Sequence, residues 1–339
     1  MEPTTVSLMP ASKQDAVRKA LLVTFQTTEA DDIILLAGGL SSALVYKIAV
    51  NGRSYVMRIV MQPTAFQDPA RQFECMNLAA AAGIAPRVYY TDAADALSIT
   101  DFIESKPIAG QFSDEELAIR YAQIVKSIHG LPIFPALTDY LDGVDMLIAN
   151  YKSFGLLPES ATAEFLDRYA EIARVYPRHQ PDLVASHNDL HPNNILFDGD
   201  KIWVIDWEAA FRNDRYVDLA IRGRLYSDNV ALEETYLRAY FGDDLDDYKR
   251  ARYFLMQQVS HVFYGMVFMW LIALARTPET VIDTCMDAPR LKEIHARIGA
   301  GEVAIGSIDG QLQYAKALLG EALYGMKTSR FTESIALMG

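Results

Sequence analysis

Short apolar runs separated by turn residues fill the first hundred residues and predict β-strands. Five of them are predicted to form a small antiparallel sheet, and they span residues 31–36, 44–50, 55–60, 84–90 and 97–102. Asn51-Gly52 joins the second run to the third and is a strong hairpin signal. Apolar residues at helical spacing predict two helices at 13–28 and 69–83.

Beyond Ser105 the apolar residues recur every three or four positions, which predicts helices. Ser113, followed three positions later by Glu116, is a capping box ahead of the first of these helices. Further helices are predicted over residues 139–152, 160–175, 231–241, 246–276, 287–299 and 308–325. The longest apolar run, residues 262–275, has 14 residues and is too short for a bilayer span, so it predicts a buried helix.

A polar stretch at residues 186–194 interrupts the helical pattern, and a tight hairpin is predicted at 195–205. This hairpin brings together Asp189, Asn194 and Asp206. Two carboxylates and a carboxamide suit a hard cation such as Mg²⁺ and leave one carboxylate to orient a hydroxyl group. Phosphoryl transfer needs that set of groups, and the H-x-D-x-x-x-x-N spacing is that of the kinase catalytic loop.

Two alternatives bear on this stretch. A zinc site would use His187 and His191, but Pro192 argues against the helix that would place both on one face. A metal-free hairpin with a polar loop is the structural alternative. A P-loop fold is not predicted, since the chain lacks G-x-x-x-x-G-K-[ST].

The composition of the chain argues against several classes of protein. The chain has 339 residues, enough for two lobes, and its net charge of −13 argues against a nucleic-acid-binding surface. Two cysteines, Cys75 and Cys285, are too few for a disulfide framework and favour a reducing cytoplasm. The N-terminus lacks the basic start and apolar run of a signal peptide.

The catalytic stretch resembles the aminoglycoside phosphotransferase and choline kinase family of protein-kinase-like small-molecule kinases. Trp207-Glu208, Asn213-Asp214 and Asp218-Leu219-Ala220 match the pattern of its bacterial choline/ethanolamine kinase branch, as does Arg58 in place of the usual lysine. The resemblance implies a two-lobed α+β fold, with a small antiparallel-sheet N-lobe (residues 1–104) and a large helical C-lobe (residues 105–339). It further implies an ATP- and Mg²⁺-dependent phosphotransferase. We expect a cytoplasmic protein without a membrane span, either a monomer or a homodimer.

The same resemblance assigns roles to individual residues. Asp189 is expected to orient the acceptor hydroxyl, and Asn194 and Asp206 to hold Mg²⁺. The remaining residues are expected to bind the nucleotide: Gly39, Ser41 and Ser42 in a loop over the phosphates, Arg58 paired with Glu74, and Thr100 and Phe102 at the adenine hinge.

The acceptor is expected to be choline or ethanolamine. Residues 260–270 resemble the aromatic helix of choline kinases, so Tyr264, Trp270 and Tyr314 are predicted to hold an ammonium group by cation–π attraction, with Glu208 as the nearby carboxylate. Arg222 and Arg224 depart from the family pattern and would repel choline if they faced the pocket. An aminoglycoside or a sugar is therefore an alternative acceptor, and a catalytically inactive kinase-like binding protein is a second alternative.

Overall fold

The computed structural model describes residues 5–36, 43–178 and 182–339. The chain is divided into two compact units: unit 1 contains Met1–Leu137 and Val184–Arg212, and unit 2 contains Thr138–Leu183 and Asn213–Gly339. The chain thus leaves unit 1, returns to it for the catalytic stretch and leaves again. The predicted lobe boundary at residue 105 divides the chain differently and stays a prediction.

Unit 1 contains an antiparallel sheet whose strand order is β1-β2-β3-β5-β4. The strands are β1 (Asp32–Leu35), β2 (Ala43–Val50), β3 (Arg53–Val60), β4 (Val88–Asp92) and β5 (Leu97–Asp101). Asn51 and Gly52 both have positive φ, 53° and 73°, so the predicted hairpin is confirmed. The register places Arg58 on the central strand between Val45 and Ser98.

The described part of unit 1 contains three α-helices: α1 (Gln14–Phe25), α2 (Pro69–Ala81) and α3 (Asp114–His129). The carboxylate of Asp68 caps α2 by accepting from Ala70 N at 3.0 Å. The predicted capping box of α3 is also confirmed, because Ser113 and Glu116 exchange hydrogen bonds. The sheet and α1 enclose one buried core that includes Leu21, Ile48 and Met57.

Four short strands frame the catalytic stretch: β6 (Leu183–Ser186), β7 (Ile195–Phe197), β8 (Ile202–Val204) and β9 (Phe211–Asp214). Strand β6 pairs with β9, and β7 pairs with β8. Ile195 lies opposite Val204 in the second pair, which confirms the predicted hairpin. The polar residues that precede and follow this hairpin are therefore neighbours.

Unit 2 is built from helices: α4 (Tyr140–Phe154), α5 (Glu159–Val175), α6 (Arg215–Gly223), α7 (Val230–Phe241), α8 (Asp247–Ala275), α9 (Leu291–Gly299), α10 (Ile308–Met326) and α11 (Ser329–Met338). Helix α8 is long and apolar enough to cross a membrane by length and composition, but most of it is buried against α4, α5, α6, α10 and α11. It is the central helix of this unit. A Cβ atom at Gly265 would lie 2.8 Å from the Leu319 side chain, so α8 and α10 pack closely there.

Candidate active site

The β7–β8 hairpin holds the two predicted metal ligands together, since Ile205 N donates to Asn194 O at 3.0 Å. The Asn194 side chain is buried, and its Nδ2 donates to Asp189 O at 2.9 Å and to Asp189 Oδ2 at 3.1 Å. Nδ2 is thus engaged by Asp189, whereas the side-chain oxygen Oδ1 of Asn194 has no hydrogen bond to any residue of the described ranges. That oxygen is suited to bind a cation.

Two residues of the site adopt left-handed backbone conformations that are unusual for residues other than glycine: Asn188 with φ 64° and Asp206 with φ 63°. Such conformations cost about 1–3 kcal/mol each and persist only when the surroundings enforce them. At Asn188 the side chain supplies that constraint, because Nδ2 donates to Ala209 O at 2.9 Å and to Phe211 O at 3.3 Å. Hydrogen bonds therefore join the catalytic loop to the segment that follows Asp206.

Buried rings support the loop from behind. Trp207 is 1% exposed, its indole N–H donates to Val204 O at 3.1 Å, and its ring centre lies 4.7 Å from that of His187. His187 Nε2 also contacts Ile205 O at 3.0 Å, while His191 Nε2 lies 3.4 Å from Asp189 Oδ2. Neither histidine lies on an α-helix, so the structure contradicts the zinc alternative.

Arg58 forms ion pairs with two carboxylates of this site. Its Nη1 lies 3.0 Å from Asp206 Oδ1, and its Nη2 donates to Glu208 Oε2. The predicted partner was Glu74, and this pairing was wrong. Glu74 points outward from α2 and is exposed, and no ion pair joins it to Arg58 among the described residues.

Three carboxylates of this site, those of Asp189, Asp206 and Glu208, lie near one cation, the guanidinium of Arg58. Burial, followed by the charge of Asp206, raises the pKa of Glu208 to about 7 despite the ion pair with Arg58. Asp206 Oδ1 is buried and accepts no hydrogen bond from the described residues, so only its ion pair with Arg58 compensates its charge. With Asp189 alongside, the site combines an excess of negative charge with oxygen donors, which fits a divalent cation.

Arg71 is a buried residue that sequence reasoning missed. Its guanidinium donates to four backbone carbonyls, those of Ala65, Phe66, Glu208 and Ala210. Helix α2 is thereby fixed to the segment that carries Glu208. Its position in the first turn of α2 was visible in the sequence, but its partners lie up to 139 positions away and had no sequence signal.

The predicted adenine hinge lines an open cavity of about 380 Å³ in unit 1. Phe102 and Glu104 lie in its wall, and Lys47 Nζ is 4.3 Å from the centre of the Phe102 ring. Thr100 lies in β5, where it pairs with Val56 and Val88. The predicted phosphate-loop residues Gly39, Ser41 and Ser42 lie outside the described residues.

The predicted acceptor residues belong to unit 2, apart from Glu208. The guanidinium of Arg224 lies 4.6 Å from the centre of the Tyr264 ring, and Trp270 is 39% exposed at the surface. Tyr314 OH is 3.1 Å from His295 Nε2. Arg222, in contrast, is buried at 2% exposure. The ring face of Tyr264 thus already has a cation of the chain beside it.

The sequence profile of the Phosphotransferase enzyme family (APH) matches residues 32–254, about two thirds of the chain. Among solved structures, a choline/ethanolamine kinase family protein from Mesorhizobium loti is 20% identical, with a TM-score of 0.60 over 96% of this chain and 99% of that one. Spectinomycin phosphotransferase, solved with ADP and spectinomycin, is 14% identical, with a TM-score of 0.60 over 94% and 99% of the two chains. These similarities confirm the predicted kinase-like α+β fold.

The chain also resembles curated proteins over part of its length. The protein LicA of Haemophilus influenzae is 24% identical over 198 residues, which cover 54% of this chain and 55% of LicA. The chain spans from about a seventh to about half of the length of the curated relatives it matches.

Proposed function

Because the chain belongs to the Phosphotransferase enzyme family, we propose that it transfers the γ-phosphoryl group of ATP to a hydroxyl group of a small molecule, with Mg²⁺. The family confirms the predicted enzyme class, a small-molecule kinase. The observation that best supports the reaction is the arrangement of Asp189, Asn194 and Asp206 at the base of one hairpin. That arrangement combines a carboxylate for the hydroxyl with oxygen ligands for a cation.

Asp189 orients the acceptor and receives its proton. Asn194 and His191 both contact Oδ2 of this carboxylate, which fixes its orientation in the loop. The hydroxyl oxygen forms a bond to the γ-phosphorus while the bond from that phosphorus to the bridging oxygen breaks, so ADP leaves. The proton of the hydroxyl passes to the Asp189 carboxylate late in the transfer.

The side-chain oxygen Oδ1 of Asn194 and the carboxylate of Asp206 would hold Mg²⁺, which when bound neutralises charge on the phosphates. Arg58 is placed to contact the same phosphates, since a guanidinium offers two parallel donors to phosphate oxygens. To do so it leaves one of its two carboxylate partners. Burial raises the pKa of Glu208, so this carboxyl group can take up a proton when Arg58 leaves it.

We assign the nucleotide to unit 1. Gly39, Ser41 and Ser42 are proposed to cover the phosphates, and Thr100 and Phe102 to line the adenine side. The cavity beside Phe102 supports that assignment, as do the nucleotide complexes of structural neighbours. We also retain the cytoplasm as the proposed location and the lobe division near residue 105.

Choline or ethanolamine is the acceptor class favoured by the comparisons, since structural neighbours include choline kinases. An aminoglycoside or a sugar is the second candidate, supported by the spectinomycin phosphotransferase similarity. One contact speaks against a quaternary ammonium group on Tyr264, because Arg224 already lies over that ring. The acceptor thus has to be tested across classes.

The test is an ATP-consumption screen with choline, ethanolamine, aminoglycosides and sugars, repeated with Asp189→Asn. We expect this variant to lower kcat by about a hundred-fold or more, with nucleotide binding retained. Asp200→Asn, in the exposed turn of the same hairpin, is the matched control and should be unaffected. Near-normal turnover by Asp189→Asn would rule out the assigned base, and nucleotide binding without turnover of any acceptor would favour the inactive binding protein.

A further inference from the structure

Five residues of unit 2 form a polar group around Arg224, which we call the Arg224 cluster: Arg224, His261, Tyr264, His295 and Tyr314. They come from four different elements, namely the turn after α6 and helices α8, α9 and α10. Arg224 lies over Tyr264, and His295 contacts Tyr314 OH. Burial first, and then the charge of Arg224, lowers the pKa of His261 and of His295, so both imidazoles lie within its field.

The positive charge of Arg224 has no carboxylate partner among the residues that the structure describes. Its Nε donates only weakly, to Ile221 O at 3.4 Å. Glu321 is the carboxylate whose charge acts on His295, but Arg290 binds both of its oxygens, at 2.6 and 2.9 Å. In a chain of net charge −13, a half-buried guanidinium without a counter-ion is a binding group for an anion.

His261 gives a second, independent indication of a ligand. It is 3% exposed, and neither of its ring nitrogens has a hydrogen-bond partner within the described ranges. A neutral imidazole carries one donor and one acceptor, and buried polar groups seldom lack partners. A polar ligand beside Arg224 would supply the missing partner.

We propose that the Arg224 cluster binds a small anion through carboxylate or phosphate oxygens. Arg224 supplies two parallel donors to the anion, as guanidinium groups do for carboxylate and phosphate. The imidazole N–H of His261 supplies a further donor, and the ring of Tyr264 holds the guanidinium in place.

Four small probes of similar size test this directly by calorimetry on the full chain: glycerate, glycerol 3-phosphate, glycerol and choline. We expect one of the two anions to bind, which identifies the carboxylate or the phosphate as the source, and glycerol and choline to bind more weakly. Arg224→Gln should weaken binding of that anion about ten- to hundred-fold, the usual loss for a charge-assisted hydrogen bond. Arg224→Lys keeps the positive charge but lacks the two parallel N–H donors. Its affinity for the anion should therefore lie between those of the wild type and Arg224→Gln.

Arg238→Gln is the matched control, since Arg238 is a surface arginine of the same unit whose partner is Glu234. It should bind every probe as the wild type does. Stronger binding of choline than of both anions would overturn the proposal, as would equal binding by Arg224→Gln or binding of neither anion. ATP consumption with the same probes separates the two proposals, because anion binding that depends on Arg224 supports the cluster whether or not the probe is phosphorylated.

Discussion

Replacing Arg71 by methionine should destabilise unit 1 more than the loss of any surface charge. Methionine keeps the unbranched apolar stem but is shorter and has no N–H donor, so the carbonyl oxygens of Ala65, Phe66, Glu208 and Ala210 lose their bonds to the guanidinium. A buried acceptor that loses its donor costs about 1–3 kcal/mol, and partial relaxation of the backbone recovers some of this. We therefore expect the free energy of unfolding to fall by about 4 kcal/mol.

Urea unfolding followed by tryptophan fluorescence is the assay, because Trp203 and Trp207 both lie in unit 1 near the Arg71 contacts. Mg²⁺-dependent ATP binding should also weaken, since Glu208 and Ala210 closely follow the proposed metal ligand. Arg87→Met, at an exposed position of the same unit, is the control. A loss below about 1 kcal/mol, the range of surface substitutions, would refute the positioning role of Arg71.

Three further predictions concern the metal, the pH dependence and the core of unit 2. Asp206→Ala should weaken ATP binding at least about ten-fold in the presence of Mg²⁺, and an unchanged affinity across a Mg²⁺ titration would contradict the ligand assignment. In a metal chelator, unfolding free energy should fall by about 3 kcal/mol as pH rises from about 4.5 to about 7, because native Glu208 keeps a proton that the unfolded chain has lost. Urea titrations of Glu208→Gln should lack that slope. Gly265→Ala should lower the free energy of unfolding by about 1–3 kcal/mol, because the added Cβ would lie 2.8 Å from the Leu319 side chain. Thermal unfolding measures this loss, and an unchanged melting temperature would show that α10 moves to make room for the Cβ.

Features that depend on nearby residues were predictable from the sequence. The Asn51-Gly52 hairpin and the capping box of Ser113 were both confirmed because their partners lie within a few positions. The hairpin at 195–205 belongs to the same group, and it fixes Asn194 and Asp206 side by side. The spacing of residues in the catalytic stretch was therefore enough to predict that Asp189, Asn194 and Asp206 lie close together.

Partners across long sequence separations were not predictable. Glu74 was expected to pair with Arg58, yet Glu208, 150 positions away, does so, because β3 and the segment after the hairpin approach each other only in the folded unit. Arg71 was missed for the same reason. Helices α6 and α11 were also not predicted, and α9 begins at Leu291, four residues later than expected. Short helices depend more on tertiary packing than on their own pattern.

The interrupted path of the chain has a consequence for its synthesis on the ribosome. Helices α4 and α5 pack against α8, but α8 begins at Asp247, about 70 residues after α5 ends at Val175. At a synthesis rate of about 5–20 residues per second, the apolar faces of α4 and α5 remain uncovered for roughly 4–14 s before α8 is made. During this interval the nascent chain is exposed to aggregation, so a chaperone that binds short apolar helices should have its greatest effect on yield there.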